Sequence, residues 1–242
     1  MKKKTKFKAG ENIITQNANW SFDGTVPKNF EKHIKKSVPL YEWSHEIGLK
    51  ISDFFLPKKS TTYDLGCSTG TFLNHLALRH EKKNINLIGV DEIKQMVDIA
   101  KTKKNLKKKN VKILHNNLNK IKFKKCNFIT SFFTIQFIHP SKRQTLIDKV
   151  YKNLEWGGGF VFFEKVRGPD ARFQDMISQM YAEYKYDNGY NPNEIFNKSK
   201  SLKGVMEPFS TKGNLDLLKR AGFKDYLTVF KYLCFEGFLA IK

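Results

Sequence analysis

The stretch Thr61-Thr62-Tyr63-Asp64-Leu65-Gly66-Cys67-Ser68-Thr69-Gly70 decides the fold of this chain. Its first half is typical of a short β-strand, and its second half of a turn that leads into a helix. Gly66 and Gly70 let a ligand approach the backbone, because neither residue has a Cβ atom. The helix behind the turn adds free N–H groups and a partial positive charge. The stretch therefore predicts a strand–turn–helix unit that binds a ligand.

Strand and helix patterns alternate on either side of this unit, which is typical of a mostly parallel sheet. The predicted strands cover 61–65, 85–90, 111–114, 128–132, 160–164, 227–232 and 235–241. We predict an α/β fold with a Rossmann-like, seven-stranded, mostly parallel sheet. Helical patterns over 20–57 and 170–206 predict an N-terminal helical lid and a helical insertion before the last strand pair.

The length of 242 residues suits one α/β domain, which we place at 20–242. Residues 1–19 are basic and are expected to form a flexible tail. No apolar stretch is long enough for a membrane span or a secretion signal, so we expect no membrane partner. Cys67, Cys126 and Cys234 are far apart and have no metal-ligand spacing. We therefore expect no metal site and a cytoplasmic location.

The chain carries 44 basic and 23 acidic residues, a formal net charge of +21. A nucleic-acid partner would explain this excess, because clustered cations release counterions from a phosphate backbone. Only five basic residues are arginine, however, and arginine makes most bidentate contacts to nucleic acids. Lys, Asn, Ile and Phe are abundant together, as in proteins from A+T-rich genomes. We interpret the charge as compositional and expect no direct tRNA contact.

The spacing of the glycines narrows the class of ligand. Gly66 and Gly70 give Gly-x-x-x-Gly, whereas dinucleotides require Gly-x-Gly-x-x-Gly and a Walker loop requires Gly-Lys-Ser/Thr. Asp64, just before the turn, suits a cationic amino group such as that of S-adenosylmethionine (SAM). Asp91 ends the next strand, where an acid can accept hydrogen bonds from two ribose hydroxyls. We therefore predict SAM as the cofactor.

Other residues of the predicted cofactor pocket lie beside these motifs or at the end of the third strand. Asn117 could meet the adenine edge. The full set assigned to the cofactor is Tyr41, Asp64, Gly66, Cys67, Ser68, Gly70, Asp91, Glu92, Met96, Asn117 and Leu118.

Three side chains are candidates for catalysis. His139 follows the fourth strand and could act as a general base, or it could pack beside Pro140 as an ordinary loop histidine. Glu164 ends the fifth strand and could orient a substrate amine or form a salt bridge with a lysine. Tyr41 is the third candidate, and together with Tyr190 it could line the pocket of a small-molecule substrate.

Several segments resemble the Rossmann-like SAM-dependent methyltransferases, namely Asp64–Gly70, Asp91, Phe133–Phe137 and Trp156-Gly157-Gly158. A longer series resembles the carboxy-SAM synthase family. It comprises Trp20–Asp23, Ser37–Tyr41, Tyr63–Ser68, Phe133–Phe137, Glu164-Lys165, Asn188–Tyr190, Val205-Met206 and Ala221–Phe223. This resemblance covers the chain from Trp20 to Lys242 and implies a homodimer. It also implies synthesis of carboxy-SAM from SAM and prephenate, in support of tRNA wobble-uridine modification.

The chain departs from the pattern of that family at three positions. The arginine that holds the extra carboxylate in the family corresponds to Ser199. Lys200 lies beside it, but an ammonium does not reproduce the fork of a guanidinium group. The asparagine before Phe-Thr-x-Gln-Phe corresponds to Phe132, and the acid on the adenine side corresponds to Asn117.

These departures set the order of the functional hypotheses. An unpaired carboxylate in a closed site is costly, so loss of the arginine should affect carboxy-SAM more than SAM. We therefore predict methyl transfer to a small acceptor first, with Tyr190, Ser199 and Lys200 at the substrate. Carboxy-SAM synthesis is the second hypothesis. The third is a non-catalytic SAM- or RNA-binding module.

Overall fold

The structure is a computed structural model, and it describes residues 6–242. The helices are α1 (Val26–Ser37), α2 (Tyr41–Phe55), α3 (Thr71–Arg79), α4 (Lys94–Thr102), α5 (Pro140–Asn153), α6 (Ala171–Asp187), α7 (Pro192–Leu202) and α8 (Thr211–Ala221). The strands are β1 (Phe7–Lys8), β2 (Ile14–Thr15), β3 (Thr61–Leu65), β4 (Asn86–Asp91), β5 (Val111–His115), β6 (Cys126–Phe132), β7 (Leu154–Lys165), β8 (Asp225–Tyr232) and β9 (Phe235–Ile241). Within this described part, no helix is long and apolar enough to cross a membrane.

Seven strands form one sheet in the order β5-β4-β3-β6-β7-β9-β8. The strands from β5 to β7 run parallel, and β9 and β8 complete the sheet as an antiparallel pair. The predicted fold class and strand number are confirmed. β7 begins at Leu154 rather than at 160, because Leu154 already pairs with Cys126 of β6. The strand order reverses beside β3, and open α/β sheets bind ligands at such a switch point.

Helices cover both faces of the sheet. The face under α2, α3 and α4 buries Leu49, Leu73, Val97, Phe128 and Phe163. The face under α5 and α8 buries Leu146, Val150, Leu218, Phe160 and Phe162. Each fully buried side chain of this kind stabilises the fold by about 1.5–3 kcal/mol relative to exposure. The two cores therefore hold the carboxyl ends of the strands in fixed positions.

The N-terminal segment differs from the predicted flexible tail. β1 and β2 pair as a short antiparallel ladder, and Ala9 and Ile13 are buried against Trp20. Asn197 of α7 donates a hydrogen bond to the carbonyl of Lys8. Such order depends on contacts distant in sequence, which local periodicity does not reveal. The first five residues of the predicted tail lie outside the described part of the chain.

Candidate functional site

A cavity of about 1320 Å³ lies at the switch point of the sheet. Its walls come from the turns after β3, β4 and β6, from the lid helices α1 and α2, and from α6 and α7. Pockets for one small ligand measure about 300–1,000 Å³. The cavity therefore has room for a nucleoside-type ligand and a second molecule.

The glycine turn after β3 has a backbone shape that a side chain would disturb. Gly66 and Gly70 both have a φ of 75°. A Cβ atom on Gly66 would lie 2.1 Å from Thr134 Oγ1. The amides of Gly66 and Cys67 donate to the carbonyl of Val90, at 2.8 and 3.0 Å. β4 therefore holds the turn open for a ligand.

Asp91 stands between this turn and α4. Its Oδ2 accepts a hydrogen bond from the Ser68 amide at 2.8 Å, and its Oδ1 accepts one from the Ile93 amide at 2.9 Å. Asp91 thus acts as a local cap, and each of its oxygens keeps a lone pair that a ribose hydroxyl can use. Asn117 donates to Glu92 at 2.7 Å beside it, so polar groups surround the predicted adenosine position.

The remaining residues predicted for the cofactor lie in or next to the same cavity. Cys67, Ser68, Met96 and Leu118 all line its wall. The Ser68 hydroxyl donates to the Met96 sulfur at 3.4 Å. The structure thus brings the predicted cofactor residues together.

Asp64 is a buried carboxylate beneath the turn, 3% exposed. Thr130 Oγ1 donates to it at 2.9 Å, and no described cationic side chain forms a salt bridge with it. Burial raises its pKa to about 7; the Thr130 hydrogen bond opposes this rise and the Asp91 charge adds to it. The ammonium of SAM would supply the missing cation. The glycine turn, Asp91 and Asp64 therefore fit SAM.

The raised pKa of Asp64 predicts a pH-dependent affinity for SAM. At low pH Asp64 is neutral, and binding of the ligand ammonium must first release its proton. The affinity should fall by up to about tenfold per pH unit below about pH 7. It should also fall above about pH 8, where an α-amino group loses its charge. Calorimetry across this range measures the effect. An Asp64→Asn variant that keeps the acidic decline would contradict the assignment.

The lid is tied to the glycine turn by Glu31 of α1. Its carboxylate accepts hydrogen bonds from the hydroxyls of Thr69 and Thr71. Lys103 also donates to the Thr71 hydroxyl, at 3.2 Å. These contacts hold α1 across the cavity mouth. Sequence patterns do not identify Glu31, because its partners are 38 and 40 residues away along the chain.

Replacing Glu31 by alanine should therefore speed SAM release. Hydrogen bonds to charged groups contribute about 1.5–3 kcal/mol each, and the half-buried position of Glu31 puts the loss at about 1.4 kcal/mol, or tenfold. Stopped-flow measurement of SAM dissociation tests this expectation. Glu42→Ala, in the exposed Lys35–Glu42 ion pair, is the matched control. An unchanged dissociation rate in Glu31→Ala would show that the contact does not restrain the lid.

Lysines occupy the cavity wall away from the glycine turn. The Lys165 and Lys185 ammonium nitrogens lie 4.3 and 4.5 Å from the centroid of the Tyr181 ring. Neither lysine forms a salt bridge with any residue from 6 to 242. Burial, together with the positive charge of Lys165, lowers the pKa of Lys185 to about 8. Two cations without an acidic partner make this end of the cavity suitable for an anion.

The structure corrects the catalytic prediction for Glu164, whereas His139 does line the cavity and its catalytic role stays a prediction. Glu164 is buried and does not line the cavity; it accepts hydrogen bonds from the Ile135 and Gln136 amides, at 2.8 and 2.7 Å. Burial raises its pKa to about 8. His139 lies exposed at the rim, where its Nδ1 accepts from the Ser141 amide and caps α5. Glu164 therefore supports the turn after β6, and His139 has a helix-capping role.

Tyr41 lies in the cavity wall, as predicted, and is buried beside His45. Phe132 also lines the cavity, with its ring against those of His45 and Phe72. An aromatic side chain therefore fills the place where a polar residue was expected from the family pattern.

Of the three residues predicted to bind the substrate, the structure places one in the cavity wall and two outside it. Ser199 lines the cavity and is exposed. Lys200 does not: its ammonium lies 5.0 Å from the Phe196 ring centroid, outside the cavity wall. Tyr190 lies behind the wall, where its hydroxyl donates to Glu11 at 2.8 Å. The helical geometry of α7 explains the difference between Ser199 and Lys200, because adjacent residues of a helix point about 100° apart.

Comparisons with known proteins agree with this geometry. A family model described as a methyltransferase domain matches residues 63–158. Carboxy-S-adenosyl-L-methionine synthases from Campylobacter lari and Staphylococcus epidermidis are each 36% identical to this chain. They match 92% of it, and 94% and 97% of their own lengths. A SAM-dependent methyltransferase structure from Aquifex aeolicus has a TM-score of 0.60 and 20% identity, covering 91% of this chain and 99% of its own. These matches confirm SAM as the cofactor and a SAM-dependent transferase as the enzyme class.

Proposed function

This chain belongs to the carboxy-S-adenosyl-L-methionine synthase family, and we propose that it forms carboxy-SAM from SAM and prephenate. The observation that carries the proposal is a pair of lysines in the wall of the SAM cavity, the half-buried Lys165 and the buried Lys185. Prephenate carries two carboxylates, and a closed site must compensate their charge. The lysine pair offers that compensation although Ser199 replaces the arginine of the family pattern.

The chain contributes binding and positioning to this reaction. When bound, SAM supplies a methyl group activated by the sulfonium charge. Asp64 and Asp91 hold its two ends, and Lys165 with Lys185 would hold the carboxylates of the cosubstrate. Phe132 and Tyr41 add apolar walls between these ends. Such positioning can supply several kcal/mol of the barrier reduction.

Incubation of the full-length protein with SAM and prephenate tests the proposal. Mass spectrometry should show a product heavier than SAM by the mass of CO2, because a carboxyl group replaces one methyl hydrogen, together with a keto acid derived from prephenate. SAM that remains unchanged while binding is demonstrated by calorimetry would overturn the proposal.

Methyl transfer to a small carboxylate-bearing acceptor is the second candidate. Two observations favour it, namely the loss of the guanidinium group at Ser199 and the apolar ring of Phe132 at the cavity wall. The same incubation with small organic acids that carry a hydroxyl or amine distinguishes the reactions. Methyl transfer would yield S-adenosylhomocysteine and a methylated acid, and no carboxy-SAM.

A further inference from the structure

A buried polar network surrounds Lys198 at the cavity wall. Lys198 Nζ lies 2.6 Å from His33 Nε2 and 2.7 Å from Ser37 Oγ. His33 Nδ1 lies 3.0 Å from a carboxylate oxygen of Glu11, and Tyr190 donates to the same oxygen at 2.8 Å. The network is therefore a chain of contacts that runs from an acid through a histidine to a lysine.

The hydrogens of this network can be assigned from its donors and acceptors. An ionised Glu11 only accepts, so His33 Nδ1 carries the ring hydrogen and Nε2 is the acceptor for Lys198. Tyr190 donates to Glu11, so its oxygen accepts from Ser37, whose own oxygen accepts from Lys198. Two directions of the Lys198 nitrogen are thus fixed by N–H groups. The remaining direction holds either a third hydrogen or a lone pair.

The surroundings of Lys198 disfavour the third hydrogen. Lys198 is 9% exposed, and no carboxylate lies within salt-bridge distance of its ammonium among residues 6–242. The titratable groups that face the network are Glu11 from the N-terminal segment, His33 and Lys36 from α1, Lys185 and Tyr190 from α6 and the turn after it, and Lys165 from β7.

The balance of these charges determines the protonation state of Lys198. Glu11 is the single acid of the network, and Lys36 also engages it, at 3.1 Å. Burial lowers the pKa of Lys198 well below its usual value, and the charge of Lys185 lowers it further; Glu11 opposes this shift. Burial lowers the pKa of His33 to about 3, so His33 stays a neutral acceptor.

We propose that Lys198, which lines the cavity, is the general base of this site, with Glu11 and His33 as the residues that position it. The inference rests on the proposed function, because that reaction releases the proton that Lys198 takes. Lys198 Nζ forms an N–H bond as one methyl C–H bond of SAM breaks. The C–H electron pair forms the new C–C bond to the carboxyl carbon.

The remaining electrons and the proton also balance. The bond between the prephenate ring and that carboxyl carbon breaks, and its electron pair enters the ring and expels the ring hydroxyl. Lys198 returns its proton to this hydroxyl, which leaves as water. Lys198 ends neutral and ready for another turnover. In methyl transfer it would take the proton of the acceptor hydroxyl or amine instead.

Nuclear magnetic resonance of protein labelled at the lysine side chains tests the state of Lys198 without any reaction. One Cε signal, assigned by its absence in Lys198→Arg, should titrate well below the usual value of about 10.4. Lys200→Met, outside the cavity wall, is the matched control and should leave that signal in place. Titration of Lys198 at the ordinary value would overturn the proposal.

Two variants then show whether Lys198 acts as a base or as a positive charge. Lys198→Arg keeps a positive charge but cannot be deprotonated, so kcat should fall by about 10²–10⁴-fold while SAM affinity stays within about twofold. In Lys198→Ala, added small primary amines should restore turnover in proportion to their free-base concentration. Full activity of Lys198→Arg, or rescue that follows the ammonium concentration, would overturn the proposal.

The titration also separates this proposal from the proposed function. A low titration of Lys198 without carboxy-SAM formation would support the base and reject the function. Carboxy-SAM formation by a protein whose Lys198 titrates normally would support the function and reject the base.

Discussion

The double substitution Lys165→Met and Lys185→Met is expected to lower kcat/KM for prephenate by about 10³-fold. Charge-assisted hydrogen bonds contribute about 1.5–3 kcal/mol each, so two of them give a loss of this size. Methionine keeps the length of the side chain and removes the charge. The affinity for SAM should change little, because both lysines lie away from the glycine turn. Steady-state kinetics with varied prephenate measures the first effect, and calorimetry the second.

Stability provides a check on this experiment. Lys185 is buried, Lys165 is half-buried, and neither forms a salt bridge with any residue from 6 to 242, so replacing them by an apolar side chain removes the cost of withdrawing unpaired charges from water. We therefore expect a melting temperature equal to or above that of the wild type. Lys200→Met is the matched control, and it should keep its activity. Wild-type kcat/KM in the double variant would remove the lysine pair from the cosubstrate site.

Replacing Asp91 by alanine is expected to raise the Kd for SAM by about 100-fold. Two hydrogen bonds from ribose hydroxyls would be lost, at a cost of about 3 kcal/mol, and each 1.4 kcal/mol is a factor of ten. The Ser68 amide would also lose its acceptor, so the glycine turn should become less ordered. Calorimetric titration of the variant with SAM measures the change.

Asp98→Ala serves as the control for this variant. Asp98 lies on α4 and forms an exposed pair with Lys94. Its loss removes one negative charge near the same helix without touching the cavity, so SAM affinity should be unchanged. Equal affinities of Asp91→Ala and Asp98→Ala for SAM would contradict the role of Asp91 in ribose binding.

The neighbours Glu164 and Lys165 show which part of the site a strand pattern can predict and which part it cannot. Glu164 was predicted to act in catalysis, whereas in the structure its neighbour Lys165 lines the cavity and Glu164 does not. Successive residues of a strand point to opposite sides, so a shift of one position exchanges the two side chains. Which side faces the cavity depends on the turn after β6, whose amides bind Glu164. This turn is distant in sequence, and the strand pattern does not report it.

The sequence alone determined the sheet, the glycine turn and the cofactor acids, because these depend on local periodicity and on residues within one strand–turn–helix unit. Asp64, Gly66 and Gly70 lie together in the chain, and Asp91 ends the next strand. Only the tertiary structure decided the far end of the cavity. His33 and Lys198 are 165 positions apart, and their contact depends on how α1 and α7 close over the sheet. Packing between distant elements determines which lysines are buried and which remain in water.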